Sequence, residues 1–322
     1  MANYPIDTQD ILQDLVFEAK SLKINDNQQW WQSHKEIEWK YPFATDCSLI
    51  AGRTFNSLGY TFASCYQCAV KSLFHKGDPD NSLVRALCAT EGKGPFHPKN
   101  VKTSITQRTK DDKWILNGHK SFVTMGDFAD QYIVLAFINN LDNSVKEDLP
   151  KEFKIVLVNK GQNGVKCESL PTLSFIPEVS HAKVSFTDVI IDNEMILDGD
   201  GFTDYVRPFR TIEDSLITAG CLGHLIKHIR DHYKSWNAPH LLERSLSLAL
   251  CLRELCEMDP SKSTTHLVLA DITSSLTELI KNIEEKWDKN EESFKLWNRD
   301  KKLLSIAFTA RMKRLEKARA SL

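Results

Sequence analysis

The chain has 322 residues, 42% of them hydrophobic and 26% charged, and its formal charge is −2. That length fits two or three domains, each able to bury a core. The near-neutral balance, with no block of Lys or Arg, argues against a nucleic-acid or membrane-surface footprint.

The opening residues MANYPIDTQD carry acids and no apolar run, unlike a signal peptide. No apolar stretch approaches the ~20 residues of a membrane span. The expectation is a cytoplasmic protein without a membrane span. Eight cysteines lie scattered at 47, 65, 68, 88, 167, 221, 251 and 256. A chain of this size needs no staples, so they read as reduced thiols. Cys65 and Cys68 form a lone CxxC without a second pair or nearby histidines, and buried small hydrophobes are the preferred reading.

Residues 1–82 read as an N-terminal helical domain. Ile11, Leu12, Leu15 and Val16 fall at helical spacing, as do Leu49, Ile50, Phe55, Leu58, Phe62 and Cys65, with a break at Gly59. Trp30, Trp31 and Trp39 lie in a polar stretch and are read as sealing the core beneath a connection. Gly77-Asp78-Pro79 punctuates the chain.

Residues 83–202 change to strand character. Asp112–Thr124 contains Asn117-Gly118 between alternating runs, a hairpin signal because both turn positions take positive φ. Further β runs are Gln131–Ile138, Phe153–Asn159, Val165–Ser169 and His181–Ile191. The polar stretch 139–152 reads as an exposed connection. Many short strands without intervening helices predict a middle antiparallel β-barrel or sandwich.

Residues 203–322 return to helix, in four segments near 208–235, 239–257, 263–287 and 291–320. Short connections make them an antiparallel four-helix bundle. Gly220 and Gly223 cost helix stability, so they imply a close helix–helix or helix–cofactor approach. His224, His228 and His232 share a helix face, but their spacing diverges along the axis, and a polar contact face is preferred to a metal site. The charge run around 284–292 reads as a solvated helix end. The basic last helix, with Arg299, Lys301, Arg311, Arg314 and Lys317, is expected to pair with acidic neighbours. Locally, Thr211 reads as an N-cap and Glu213-Asp214 as first-turn acids that complement a helix dipole.

Four stretches resemble the acyl-CoA dehydrogenase family. LCATEG at Leu87–Gly92 is similar to the segment that touches the flavin ring. LNGHKSFVT at Leu116–Thr124, with Ala129-Asp130 and Tyr132–Ala136, is similar to the hairpin and strand behind the isoalloxazine. His181–Gly201 resembles the last strand of the family's barrel, and Arg210–Leu225 the first helix of its bundle. Together these stretches span roughly residues 83–234. The resemblance implies an α+β multidomain fold: helical domain, β-barrel and four-helix bundle, with FAD between barrel and bundle.

The resemblance also implies roles. A base removes the α-proton of an acyl-CoA thioester while the β-hydrogen leaves as hydride to the flavin. Aligning Ala219-Gly220 with the family's small-residue pair puts Glu213 at the base position used by some members. The late segment Glu292–Leu304 offers no equivalent. Thr90 corresponds to the threonine that bonds the pyrimidine side of the ring, with Cys88 and Ala89 presenting backbone nearby. Phe122 corresponds to an aromatic residue flanking the ring, and Thr124 to a hydroxyl contact. As ordinary strand residues, Thr90 and Thr124 need no ligand, and Phe122 is equally a core side chain.

Two departures stand out. The family continues Thr-Glu-Pro-Gly-x-Gly-Ser, where small residues cradle the pyrophosphate, but here Phe96 replaces the Ser and Pro95 a Gly. Lys93 or His97 is left as a substitute charge. The family's Arg-x-x-Phe-Gly segment has no equivalent in His232–Ser245, where Arg244 or Lys234 would have to meet the phosphate. The first expectation is therefore an FAD-dependent acyl-CoA dehydrogenase acting with an external electron acceptor, as a homo-oligomer (dimer or tetramer) or a hetero-oligomer. The alternative is a non-catalytic or half-site subunit working with a partner chain. A third is an oxidase or monooxygenase on the same fold.

Overall fold

The computed structural model describes residues 7–18, 21–74, 80–92, 96–108, 110–139 and 151–322. The predicted punctuation at Gly77–Pro79, the residues Lys93 and Pro95, and most of the 139–152 connection lie outside them. The chain divides into two compact units. One comprises Met1–Ser72, Ser174–Glu178 and Arg210–Leu322, and the other Leu73–Leu173 and Val179–Phe209. The sequence suggests three successive regions, whereas the helices from both ends of the chain share one unit.

In the helical unit the early helices are α1 (Thr8–Gln13), α2 (Asn27–Lys40), α3 (Ala44–Thr54) and α4 (Leu58–Lys71). Asp26 caps α2 by accepting from Gln29 N at 2.8 Å, and Ser57 caps α4 by accepting from Tyr60 N at 3.2 Å. The break therefore falls at Phe55–Ser57, ahead of Gly59, which sits inside α4. The three tryptophans are also corrected: they ride on α2 and not on a connection. Trp30 is buried and donates its indole N–H to Ser64 Oγ at 3.0 Å, while Trp39 stays exposed.

α3 and α4 are buried nearly all round, as expected of helices inside a core. The later helices of this unit begin with α5 (Arg207–Asp231, of which Arg210 onward belongs to this unit), α6 (Tyr233–Trp236), α7 (Pro239–Glu257) and α8 (Ser263–Lys286). α3 meets α5 backbone to backbone. A Cβ on Gly52 would stand 1.9 Å from Gly220 O, and one on Gly223 would stand 2.0 Å from Leu49 O. The glycines thus serve a helix–helix contact, and Cys65 Sγ of the CxxC pair fills the space beside Gly220.

The last predicted helix is not continuous. It is α9 (Glu292–Asp300), α10 (Leu303–Ile306) and α11 (Phe308–Arg319). The buried Asp300 carboxylate accepts from Ile176 N at 2.7 Å and from Arg299 Nε at 2.7 Å. Past this anchor, Leu304 N–H and Ser305 N–H bond to Lys301 O and Lys302 O, tighter i→i−3 turns that bend the chain.

The sheet unit holds β1 (Arg85–Cys88), β2 (Ser104–Gln107), β3 (Trp114–Thr124), β4 (Gln131–Ile138), β5 (Phe153–Asn159), β6 (Val165–Ser169) and β7 (His181–Ile191). The four later β runs match the sequence reading strand for strand. The antiparallel barrel does not hold. The sheet is mixed and open, ordered β1-β4-β2-β3-β7-β6, with β5 on the other edge of β4. β1 and β2 lie end to end along one edge of β4, and both pair with it in parallel. β4 is also buried on both faces along most of its length, which accounts for its unbroken apolar run.

The hairpin at Asn117-Gly118 is also overturned, because β3 runs straight through it. Asn117 Oδ1 accepts from Asp188 N at 2.9 Å, and its Nδ2 donates to Asp188 Oδ1 at 3.0 Å. Gly118, at φ +145°, takes up a bulge so tight that a Cβ would stand 2.4 Å from Thr103 Oγ1. Among the described residues no helix is long and apolar enough to cross a membrane.

Candidate functional site

The sheet unit gathers all five residues expected to touch a flavin at the ends of β1 and β3. Cys88 points its thiol into the sheet core, so only its backbone is available. Beyond it the chain is tied to β3: Thr90 O accepts from Ser121 N at 2.9 Å, and Gly92 O from Ser121 Oγ at 2.9 Å. Ala89 O receives Lys120 Nζ at 3.4 Å.

A bulge between Lys120 and Val123 then turns Phe122 outward at φ 59°. A bulky residue in that region is strained. Its ring is 52% exposed and stacks on His181 at 4.2 Å between centroids. Thr124 pairs with the same His181 across to β7. Among the described residues, the hydroxyls of Thr90 and Thr124 have no hydrogen-bond partner, and both side chains are half-buried. An exposed aromatic plate beside two unsatisfied hydroxyls fits one edge and face of a flat ring.

Between these residues lies a pair the sequence reading passed over. Glu91 and Lys120 form a buried ion pair at 2.7 Å. Glu91 also accepts from Lys102 N at 2.7 Å and from Thr103 N at 3.1 Å. Burial alone would raise its carboxyl, but the Lys120 charge and these bonds outweigh it and hold Glu91 below its ordinary range. Burial lowers the Lys120 ammonium, with Glu91 opposing. The pair fixes the β1 exit on β3.

The pyrophosphate segment fits less well. Phe96 stacks on Phe202 at 5.9 Å, and Phe202 meets Phe153 at 6.2 Å, so that stretch is engaged in packing. His97 is a local cap, its Nδ1 accepting from Lys99 N at 3.2 Å. Arg244 is held by Glu278 at 2.7 Å.

In the helical unit, Glu213 stands in the second turn of α5. The helix-start reading of this residue is corrected. Helical backbone begins at Gly201 with a π segment, Gly201–Val206, capped by Asp200, and runs directly into α5. Thr211 is therefore no N-cap, and no free helix end explains Glu213. Its neighbour Asp214 is buried and clasped by α11. Arg311 gives two bonds of 2.6 and 3.0 Å, and Arg314 one of 3.1 Å. Glu213 has no hydrogen-bond partner among the described residues. Burial and the Asp214 charge push its carboxyl up to about 7, with Arg210 opposing. A carboxylate that titrates near neutrality suits proton abstraction.

Four of the five basic residues singled out in the last helices meet acids as expected, and Lys317 makes no ion pair among the described residues. Besides the Asp214 clasp, Arg299 pairs with Asp300 and Glu178, and Lys301 with Glu284. His224 and His228 face each other at 3.3 Å, and His232 bonds Glu291 at 3.0 Å. Among the described residues no group of three or more His, Cys, Asp or Glu is arranged to hold a metal ion.

Comparison with known proteins agrees with the fold. Residues 86–189 match the model of the acyl-CoA dehydrogenase middle domain. No curated protein matches the chain. Butyryl-CoA dehydrogenase from Megasphaera elsdenii superposes with a TM-score of 0.67 at 15% identity, covering 99% of each chain. An FAD-dependent dehydrogenase gives 0.73 at 14% identity, over 99% of this chain and 100% of that one. The prolyl acyl carrier protein oxidase AnaB gives 0.66 at 14%, over 96% and 97%. Residues 86–189 thus match that middle domain, and the chain as a whole has the same fold as these solved structures.

Proposed function

We propose that this protein is an FAD-dependent oxidoreductase that introduces an α,β double bond into an acyl-CoA thioester, with Glu213 as the base. The observation that carries this reading is the Glu213 carboxylate: among the described residues it has no hydrogen-bond partner, it has no helix end to complement, and its affinity for protons is matched to neutral pH. Glu213 takes the α-proton of the thioester. Thr90 and Thr124 give hydroxyl contacts to the ring edge, Cys88 and Ala89 give backbone, and Phe122 covers a face. FAD, when bound, supplies the acceptor for the β-hydride. The electrons then pass to an external acceptor, and the working form is a homo-oligomer in the cytoplasm.

Glu213→Gln tests the assignment. The variant is expected to keep its flavin yet lose about 10²–10⁴-fold in the rate at which an acyl-CoA bleaches it. Unchanged bleaching by every acyl-CoA would remove Glu213 from the mechanism.

A second reading rests on Phe96. Its packing against Phe202, where the family cradles phosphate, favours a subunit that depends on a partner chain for flavin. The absorption spectrum separates the two. Yellow protein supports the enzyme, and protein that stays colourless in excess FAD supports the partner-dependent subunit.

A further inference from the structure

The helical unit contains a cavity of about 320 Å³ among the α3–α4 junction, the later turns of α5, and α9. That is within the size range of small-ligand pockets. One wall is apolar, formed by Leu58, Leu296 and Trp297, and Asn56 and Ser293 add neutral polar groups. Lys227 of α5 also lines it, although its side chain belongs to a residue only 6% exposed.

The charges around Lys227 do not balance. An ammonium has three protons to place, and among the described residues Lys227 has one acceptor, Phe55 O at 3.3 Å. Among the described residues no carboxylate lies within ion-pair distance of it. The acid in the cavity's own lining, Asp231, lies beyond ion-pair distance of Lys227 and takes Arg230 at 3.0 Å, and Glu291 takes His232. The imidazoles of His224 and His228 are turned on each other. A second buried cation adds to the excess. Arg53 is fully buried and gives Nε to Leu15 O at 2.9 Å, but among the described residues neither terminal nitrogen of its guanidinium has a partner. Burial lowers the Lys227 ammonium, Asp231 opposes, and Arg53 lowers it further, so the two cations feel one another.

A buried charge without a partner is strongly unfavourable, and native proteins rarely hold one. Here the uncompensated ammonium borders a cavity large enough for a small molecule. We propose that this cavity binds a small oxyanion, a carboxylate or phosphate group seated on Lys227, with Asn56 and Ser293 as further contacts and Trp297 as its apolar wall. Arg53 acts as a second positive charge behind the seat.

Calorimetric titration of the purified full-length protein with sodium phosphate, and separately with sodium acetate, at an ionic strength fixed by sodium chloride, tests this. Saturable binding of at least one anion is expected. Phosphate alone would mark a phosphate seat, and acetate alone a carboxylate seat. Lys227→Met should weaken that binding at least tenfold, and Lys227→Arg should largely restore it.

Thermal unfolding in chloride supplies the second readout. Lys227→Met should be at least as stable as the parent, because it removes an unpaired buried charge. The proposal is overturned if the parent binds neither anion below about 10 mM, a free energy of under ~3 kcal/mol. It is equally overturned if Lys227→Met binds as tightly as the parent. Should Lys227→Met fail to fold, the titrations of the parent and of Lys227→Arg decide. Neither flavin nor acyl thioester enters these measurements, so their failure leaves the reading of Glu213 untouched.

Discussion

Each unit holds a glutamate that is at least half-buried, and the two are in opposite states. Glu91, in the sheet unit, accepts two backbone N–H groups and the Lys120 ammonium, and is locked as an anion. Glu213, in the helical unit, has no such donors among the described residues, and its neighbour Asp214 has taken Arg311 and Arg314 of α11. Burial is common to both, so burial alone does not make a base. What separates them is the supply of donors: a full set makes a structural anchor, and an empty set leaves a group ready to gain and lose a proton.

The contrast breaks most severely at Lys120. Lys120→Met strands the Glu91 charge and should cost about 3–5 kcal/mol in urea unfolding. Adding Glu91→Gln should recover much of this, since the amide oxygen still accepts from Lys102 N and Thr103 N. A small loss from Lys120→Met alone would mean that the pair is no anchor.

Glu213→Gln sharpens the other side through its pH dependence. The folded carboxyl titrates near 7 and the unfolded one near its ordinary 4.5. Between those values the folded state binds more protons, so the parent loses stability as pH rises from about 4.5 to 7. The variant lacks this loss and should exceed the parent by up to roughly 3 kcal/mol at pH 8, with the gap closing toward pH 4.5. Parallel stability curves for the two proteins would sink the assignment.

Smaller effects lie at the surface of the sheet unit. Phe122→Ala should weaken FAD binding by about tenfold or less, the worth of one aromatic contact. A flavin titration followed by fluorescence measures it, and no change would remove Phe122 from the site. Smallest of all, Arg244→Ala breaks an exposed pair with Glu278 and should cost under ~1 kcal/mol in thermal unfolding. A larger loss would give that pair a role beyond the surface.

These predictions draw unevenly on the sequence. The strands from β4 to β7 were legible because each is a run of apolar or alternating residues whose period shows locally. The sheet's mixed pairing was not, because β1 joins β4 across 46 positions, and no local pattern reports a partner's direction. Asn117-Gly118 misleads for a related reason: its conformation is fixed by Asp188 on β7, not by its own turn preference. At the candidate site, the resemblance picked out the residues that now cluster beside Ser121. The environment of Glu213 stayed hidden. The π segment Gly201–Val206 lacks a 3.6-residue period, so the helix start was read too late. The Asp214–Arg311 clasp spans 97 positions.

The helical unit is assembled from the two ends of the chain, and this bears on how the protein emerges from the ribosome. α3 and α4 are buried on nearly every side, yet Gly220, Gly223 and Arg253, which cover or pair with them, are made much later. At usual synthesis rates of ~5–20 residues per second, the first helices wait on the order of ten seconds or more for those partners. During that interval the nascent chain carries a sticky, unfinished core while the whole sheet unit is made behind it. This protein is therefore expected to lean on holding chaperones during translation, and a fragment ending at Ser72 is expected to aggregate.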